Sequence, residues 1–179
     1  MDQYGMLSHI IDHSIEVAKV ALFISMELNK KGQRIDRDLV EAASLLHDLT
    51  KTECLKTKGD HARTGSQLLK KLGYKRIGEI VEEHIQLSQE KDPSRVSEEE
   101  VVNYADKRVQ HDRIVSLEER FRDLKNRYGK NQIAFELLEQ LQKGTFEIEM
   151  KIFSILGIDP KDLQHLQLDK EFLDRSSIK

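Results

Sequence analysis

Apolar residues in this chain recur every three to four positions almost from end to end, a period that suits helices and not strands. Between about Leu7 and Lys30 the stripe Ile10, Val17, Val20, Ile24 and Leu28 marks one face of a long helix, with Gly32 placed to end it. Asp36 or Asp38 can cap a second helix carrying Leu39, Ala42, Ala43 and Leu46 up to His47. A loop rich in Lys, Thr and Gly follows. Asp60 can then cap a third helix through Leu68, Leu69 and Leu72, stopped by Gly73, and a fourth is expected from about Lys75 to Leu87. The polar stretch Ser88 to Val96, which contains Pro93, reads as loop. Ser97 with Glu100 forms a capping box for a helix carrying Val102, Ala105 and Val109, expected to run on through Leu117 to Leu124. Gly129 breaks the pattern. Asn131 to Leu156 and a short piece after Asp159-Pro160 supply one or two more helices. The expected fold is an all-α bundle, residues 1–124, with residues 125–179 as a C-terminal helical extension packing on it.

Composition agrees and removes several classes of function. Two prolines and nine glycines in 179 residues leave few helix breakers, and the length allows a core without disulfide staples. With 29 Lys and Arg against 32 Asp and Glu, no global charge draws the chain to nucleic acid. Cys54 is the single cysteine, so no internal disulfide can form; it is expected to be a packing thiol. The longest apolar run, Val20 to Ile24, is far short of the roughly 20 residues a membrane span needs. The first five residues lack the basic start of a signal peptide, and a cytoplasmic protein is expected.

The histidines fall on unexpected faces. At 100° per residue, His13 sits inside the stripe of Ile10, Val17 and Val20, and His47 closes the stripe of Val40 and Ala43. His61 aligns with Gly65, Leu68 and Leu72, and His84 with Ile77, Ile80 and Val81. A lone inward histidine is usually a hydrogen-bonded core residue. Four buried separately would need four partner networks, because each unpaired buried group costs roughly 1–3 kcal/mol. One shared metal site satisfies several rings at once, and imidazole with carboxylate suits Mn, Fe, Co, Ni or Zn. Asp48, beside His47, and Asp106, bordering the Val102-Ala105-Val109 stripe, can complete it.

In order along the chain, His13 … His47-Asp48 … His61 … His84 … Asp106 resembles the metal signature of the HD superfamily of phosphohydrolases. The local contexts are HSIEVAKVA, ASLLHDLTK, HARTGSQLL, IVEEH and YADKRV, and the resemblance covers roughly Leu7 to Leu124. It implies that residues 1–124 form an HD-domain bundle. It also implies that His13, His47, Asp48 and Asp106 hold one divalent ion, and that Asp48 bridges to a second on His61 and His84. Two ions roughly 3.5–4 Å apart suit hydrolysis of a phosphoester by activated water; Mg joins the ions to consider. Lys51 stands where the family's HD-x-x-K lysine falls, which gives it, with Asp48, a catalytic or phosphate-binding role. Arg113, seven residues beyond Asp106 on a continuing helix, is a second candidate for substrate phosphate. Arg120, Lys107 and Arg108 are weaker candidates for phosphate, with surface ion pairs the expected reading, and His9, His111 and His165 are expected to be ordinary residues.

The resemblance has departures. Leu49-Thr50 stands where Ile-Gly is common, and Ile85-Gln86-Leu87 lacks the histidine pair and Gly-Tyr-Pro motif of cyclic-di-GMP phosphodiesterases. The metal positions are closer to small dinuclear members such as symmetrical dinucleoside tetraphosphate hydrolases, although Lys107-Arg108-Val109 differs from those. The expected activity is metal-dependent hydrolysis of a phosphoester or phosphoanhydride in a nucleotide or other small phosphorylated metabolite. The alternatives are a catalytically silent nucleotide-binding or regulatory HD module and a purely structural helical protein. Partners expected are that small substrate, no membrane, no strongly bound nucleic acid, and a second copy of the chain as an option for the C-terminal helix.

Overall fold

The computed structural model describes residues 4–88 and 92–165. The first three residues, residues 89–91 of the expected loop and residues 166–179 of the expected extension lie outside it. Eight α-helices and one two-stranded hairpin are present among the described residues, so the fold is all-α. Helix α1 (Ser8–Lys30) ends where Gly32 takes φ +88°, and α2 (Arg37–Leu46) starts at Asp36, whose carboxylate accepts from the Asp38 and Leu39 amides. The stretch after His47, expected as loop, is partly helix α3 (Lys51–Thr57), closed by Lys58 at φ 58°. Helix α4 (His61–Lys71) is capped by Asp60, and α5 spans Lys75–Glu82, ending before His84. Helix α6 (Glu98–Arg108) carries the Ser97–Glu100 capping box.

The expected run from α6 through Leu117 is interrupted. Strands β1 (Val109–Gln110) and β2 (Arg113–Ile114) form a tight antiparallel hairpin, Val109 opposite Ile114, with His111 at φ 58° in its turn. A turn of this kind normally takes glycine, and histidine is among the residues that tolerate the left-handed region. Helix α7 (Leu117–Tyr128) then starts from a second capping box, Ser116 with Glu119, and runs across the expected boundary at residue 124. Helix α8 (Gln132–Leu156) is capped by Asn131, ended by Gly157 at φ +73°, and followed by a 3-10 turn, Pro160–His165.

Val17, Val20, Ile24 and Leu28 of α1 pack with Val40 and Ala43 of α2, Ile80 and Val81 of α5, and Val101, Val102 and Ala105 of α6. Ile148, Ile152 and Leu156 of α8 belong to the same core. Two packing details set the site. A Cβ on Gly78 would lie 2.8 Å from the Ser66 carbonyl, so glycine lets α5 press against α4 and brings His84 toward His61. Helix α6 is buried on every side: all residues from Glu99 to Arg108 are buried, including Lys107 and Arg108, expected at the surface. Arg108 ties three segments together, donating to the Val115 and Pro160 carbonyls, the Tyr104 hydroxyl and Glu149 of α8.

Candidate metal centre

Six side chains from separate parts of the chain converge. His13 projects from α1, His47 follows the last residue of α2 with Asp48 next to it, and His61 opens α4. His84 lies two residues past α5, and Asp106 is in the last turn of α6. His47 and His84 therefore sit beyond helix ends instead of within helices, as the periodicity had implied. Ring centroids of His13 and His47, His47 and His84, and His84 and His61 are 5.4, 5.0 and 5.2 Å apart. Ligand atoms of His13, His47 and Asp48 lie within 4.8 Å of one another, and so do those of Asp48, His61 and His84. Asp48 belongs to both groups. Asp106 joins the first through Oδ1, 3.1 Å from His13 Nε2 and 3.5 Å from His47 Nε2.

Backbone carbonyls orient the rings. Nδ1 of His13 lies 2.8 Å from the His111 carbonyl, Nδ1 of His47 lies 2.7 Å from that of Ser44, and Nδ1 of His84 lies 2.6 Å from that of Val81. A carbonyl only accepts, so each Nδ1 donates and the Nε2 lone pair is left for a ligand. The acceptors for His47 and His84 are carbonyls three residues back, at helix ends where the regular i→i−4 amide partner is missing. The donor set therefore fits a divalent ion chemically. His47 Nε2 and Asp48 Oδ1 are buried with charged neighbours at 3.2–3.5 Å but no well-formed hydrogen bond, so both bear a desolvation cost that coordination would reduce.

The electrostatics point the same way. Burial by itself pushes the carboxyls of Asp48 and Asp106 up. His47, His61 and Lys51 around Asp48, and Lys107, His13 and His47 around Asp106, outweigh it and hold both well below the usual carboxylate range. Burial opposes charge on His47, yet Asp48 and Asp106 raise it to about 10; His84 is lowered to about 3 by burial and by His47. A position that draws a proton this strongly between two carboxylates draws any cation, and a metal bound there competes with that proton.

Of the two other expected site residues, Lys51 lies beside this group and Arg113 is on the hairpin surface. Lys51 places Nζ 2.6 Å from Asp48 Oδ2 and is about a third exposed, at the rim. Arg113 stands exposed on β2, not on a continuing helix, because the hairpin intervenes. Arg120 pairs with Asp123 at 3.7 Å, and Cys54 is a buried free thiol. Lys107 was not anticipated near the centre: its ammonium lies 3.1 Å from Asp106 Oδ2 and donates to the His84 carbonyl. The signal for its burial was present in Val101, Val102, Tyr104 and Ala105, whose apolar side chains wrap α6 on more than one face.

A buried histidine and aspartate cluster on a helical bundle is compatible with a divalent-metal site. The HD domain family matches residues 10–121, and the chain belongs to that family, whose members are in general metal-dependent phosphohydrolases. The chain is similar to Ribonuclease Y of Acetivibrio thermocellus, 36% identical over 78 residues, which is 44% of this chain and 13% of that protein. Its similarity to Ribonuclease Y of Petrotoga mobilis is 38% over 66 residues, 37% of this chain and 12% of that protein. The matched stretches thus span about an eighth of these relatives' length. No solved structure gave a significant match. Among the described residues, no helix is long and apolar enough to cross a membrane.

Proposed function

We propose that the chain hydrolyses a phosphoester or phosphoanhydride of a nucleotide or other small phosphorylated metabolite at a centre for two divalent ions. His13, His47, Asp48 and Asp106 would hold one ion, and Asp48, His61 and His84 the other. The observation that carries this reading is Asp48, buried and common to both ligand groups, with Oδ1 3.2 Å from His61 Nε2 and 3.8 Å from His84 Nε2. Fe, Mn, Co, Ni, Zn and Mg are the candidates. When bound, such ions supply a water acidic enough to attack near neutral pH and positive charge beside the phosphoryl oxygens.

The protein's own part is positional. Asp48 shares its carboxylate between the two groups and keeps them at a fixed spacing. Lys51, holding Asp48 Oδ2 from the rim, offers a compact cation that a substrate phosphate can share. Arg113, on the exposed hairpin, would take a more distant phosphate of a nucleotide chain. The expected extension acts, in its described part, through α8, whose Ile148, Ile152 and Leu156 brace the bundle. Cytoplasmic residence belongs to the same reading.

The likeness to Ribonuclease Y favours a second reading, in which the bond cleaved is a phosphodiester of RNA. Metal content per chain, measured by mass spectrometry on protein purified without chelator, tests the centre. A hydrolysis screen with that metal then compares bis-p-nitrophenyl phosphate, nucleotides and short RNA. About two ions and turnover of nucleotides support the first reading, and turnover of RNA alone supports the second. Absence of metal after anaerobic reconstitution with Mn and Fe would refute both and leave a silent binding module.

A further inference from the structure

Lysine is rarely buried, yet Lys107 is only 3% exposed. Its ammonium meets two partners that belong to different ligand groups: Asp106 Oδ2 at 3.1 Å and the carbonyl of His84. One turn earlier on α6, the buried Asn103 donates from Nδ2 to the Glu83 carbonyl at 2.8 Å. Glu83 and His84 are the residues that follow α5, held to it by i→i−3 bonds from their amides to the Ile80 and Val81 carbonyls, the second a long 3.4 Å. Helix α6 therefore grips two successive carbonyls of the segment that presents His84. The same ammonium also turns Asp106, because engaging Oδ2 leaves Oδ1 facing His13 and His47.

We propose that Lys107, assisted by Asn103, is a positioning residue of the metal centre: it sets the orientation of Asp106 and the placement of His84, and so couples the two ligand groups through α6. This rests on the metal-centre reading above. Lysine suits the task because its long stem reaches from the helix to both acceptors while a carboxylate and a carbonyl offset the burial of its charge. Electrostatics and positioning make opposite predictions here. Deleting a cation beside the centre would, by Coulomb's law alone, strengthen divalent binding. Loss of positioning would weaken it, by about 10–100-fold on the scale usual for groups that orient metal ligands.

The test uses Lys107→Met, which keeps the stem and removes charge and donors, and Asn103→Leu as an independent break of the same grip. Co2+ is titrated into wild type and variants and followed by its visible absorbance. The histidine ring nitrogen chemical shifts are recorded in chelator. Both variants are expected to bind Co2+ more weakly, Lys107→Met about 10–100-fold. His84 should move from one tautomer to a mixture. Wild-type or tighter Co2+ affinity in the folded variants, with His84 shifts unchanged, would overturn the inference even if thermal stability fell. Should Lys107→Met not fold, Asn103→Leu decides by the same criteria. If wild type itself took up no Co2+, the metal-centre reading would fall first.

Discussion

Replacing Arg108 with Met should cost about 3 kcal/mol of stability. The guanidinium is 1% exposed and holds the Val115 carbonyl at 2.8 Å, the Pro160 carbonyl at 3.0 Å, Tyr104 Oη at 2.5 Å and Glu149 Oε2 at 3.2 Å. Methionine fills much of the volume, so the loss is mainly polar. Breaking a buried ion pair from one side costs about 3–5 kcal/mol, because the other charge stays behind. Glu149 retains the Tyr104 hydroxyl at 2.5 Å and its side chain is 14% exposed, which places the cost at the lower end. For a chain of this size about 3 kcal/mol lowers the melting temperature by about 6–12 °C.

Thermal melts by circular dichroism on Arg108→Met, Glu149→Gln and the double variant give the measurement. If the stranded charge dominates, Glu149→Gln should recover much of the loss in the Arg108→Met background, and the two effects will not add. A melting temperature for Arg108→Met within about 2 °C of wild type would refute this account, as would strict additivity. Burial also pushes the Tyr104 phenol above its ordinary value, so it remains a donor to Glu149 in every variant that keeps it.

Three other outcomes follow from the packing and the charges. Gly78→Ala must displace α5 from the Ser66 carbonyl; a loss of about 1–3 kcal/mol by chemical denaturation, with weaker metal uptake, is expected. Added Mn2+ at about 100 times its dissociation constant should stabilise chelator-treated protein by about 2.7 kcal/mol. Asp48→Asn should lose that gain in a thermal-shift assay, and an equal gain in the variant would contradict a shared ligand. Burial raises the Glu99 carboxyl, but the Arg76 guanidinium at 2.5 Å outweighs it and holds the group below its ordinary value of 4.5. Stability from that pair is present above the ordinary value and is lost as pH falls through the lower folded value. The difference in melting temperature between wild type and Arg76→Gln should therefore shrink below that pH; a constant difference would speak against the pair.

The convergence of these side chains was legible because polar residues that meet inside a bundle must share a face with the core. His13 betrayed itself by sitting among Ile10, Val17 and Val20. His47 and His84 kept the right angular position although their helices stop short of them, since His47 and Glu83, the first residues past each helix, still have right-handed helical dihedrals. What periodicity could not show was how their rings are held, by carbonyls three residues back that a helix end leaves able to take a side-chain donor. Arg113 was misplaced because no glycine announces the hairpin; the left-handed residue is His111. Helix α3 was missed because a seven-residue helix capped by Lys58 offers too short a pattern. Lys107 and Arg108 were read as surface because charge is normally solvated, and only the tertiary structure supplies the acceptors that make their burial tolerable.

The hairpin between α6 and α7 has a consequence for how the centre can vary. His111 orients His13 with its main-chain oxygen while its own imidazole stands in solvent. The contact depends on the length and curvature of the turn and is blind to the side chain on it. Glycine or asparagine at position 111 should be accepted silently, whereas inserting or deleting one residue would carry the oxygen away and let the His13 ring rotate. At this point the centre reads geometry where a sequence comparison would look for identity: the side chain at position 111 is free while its carbonyl is fixed in space.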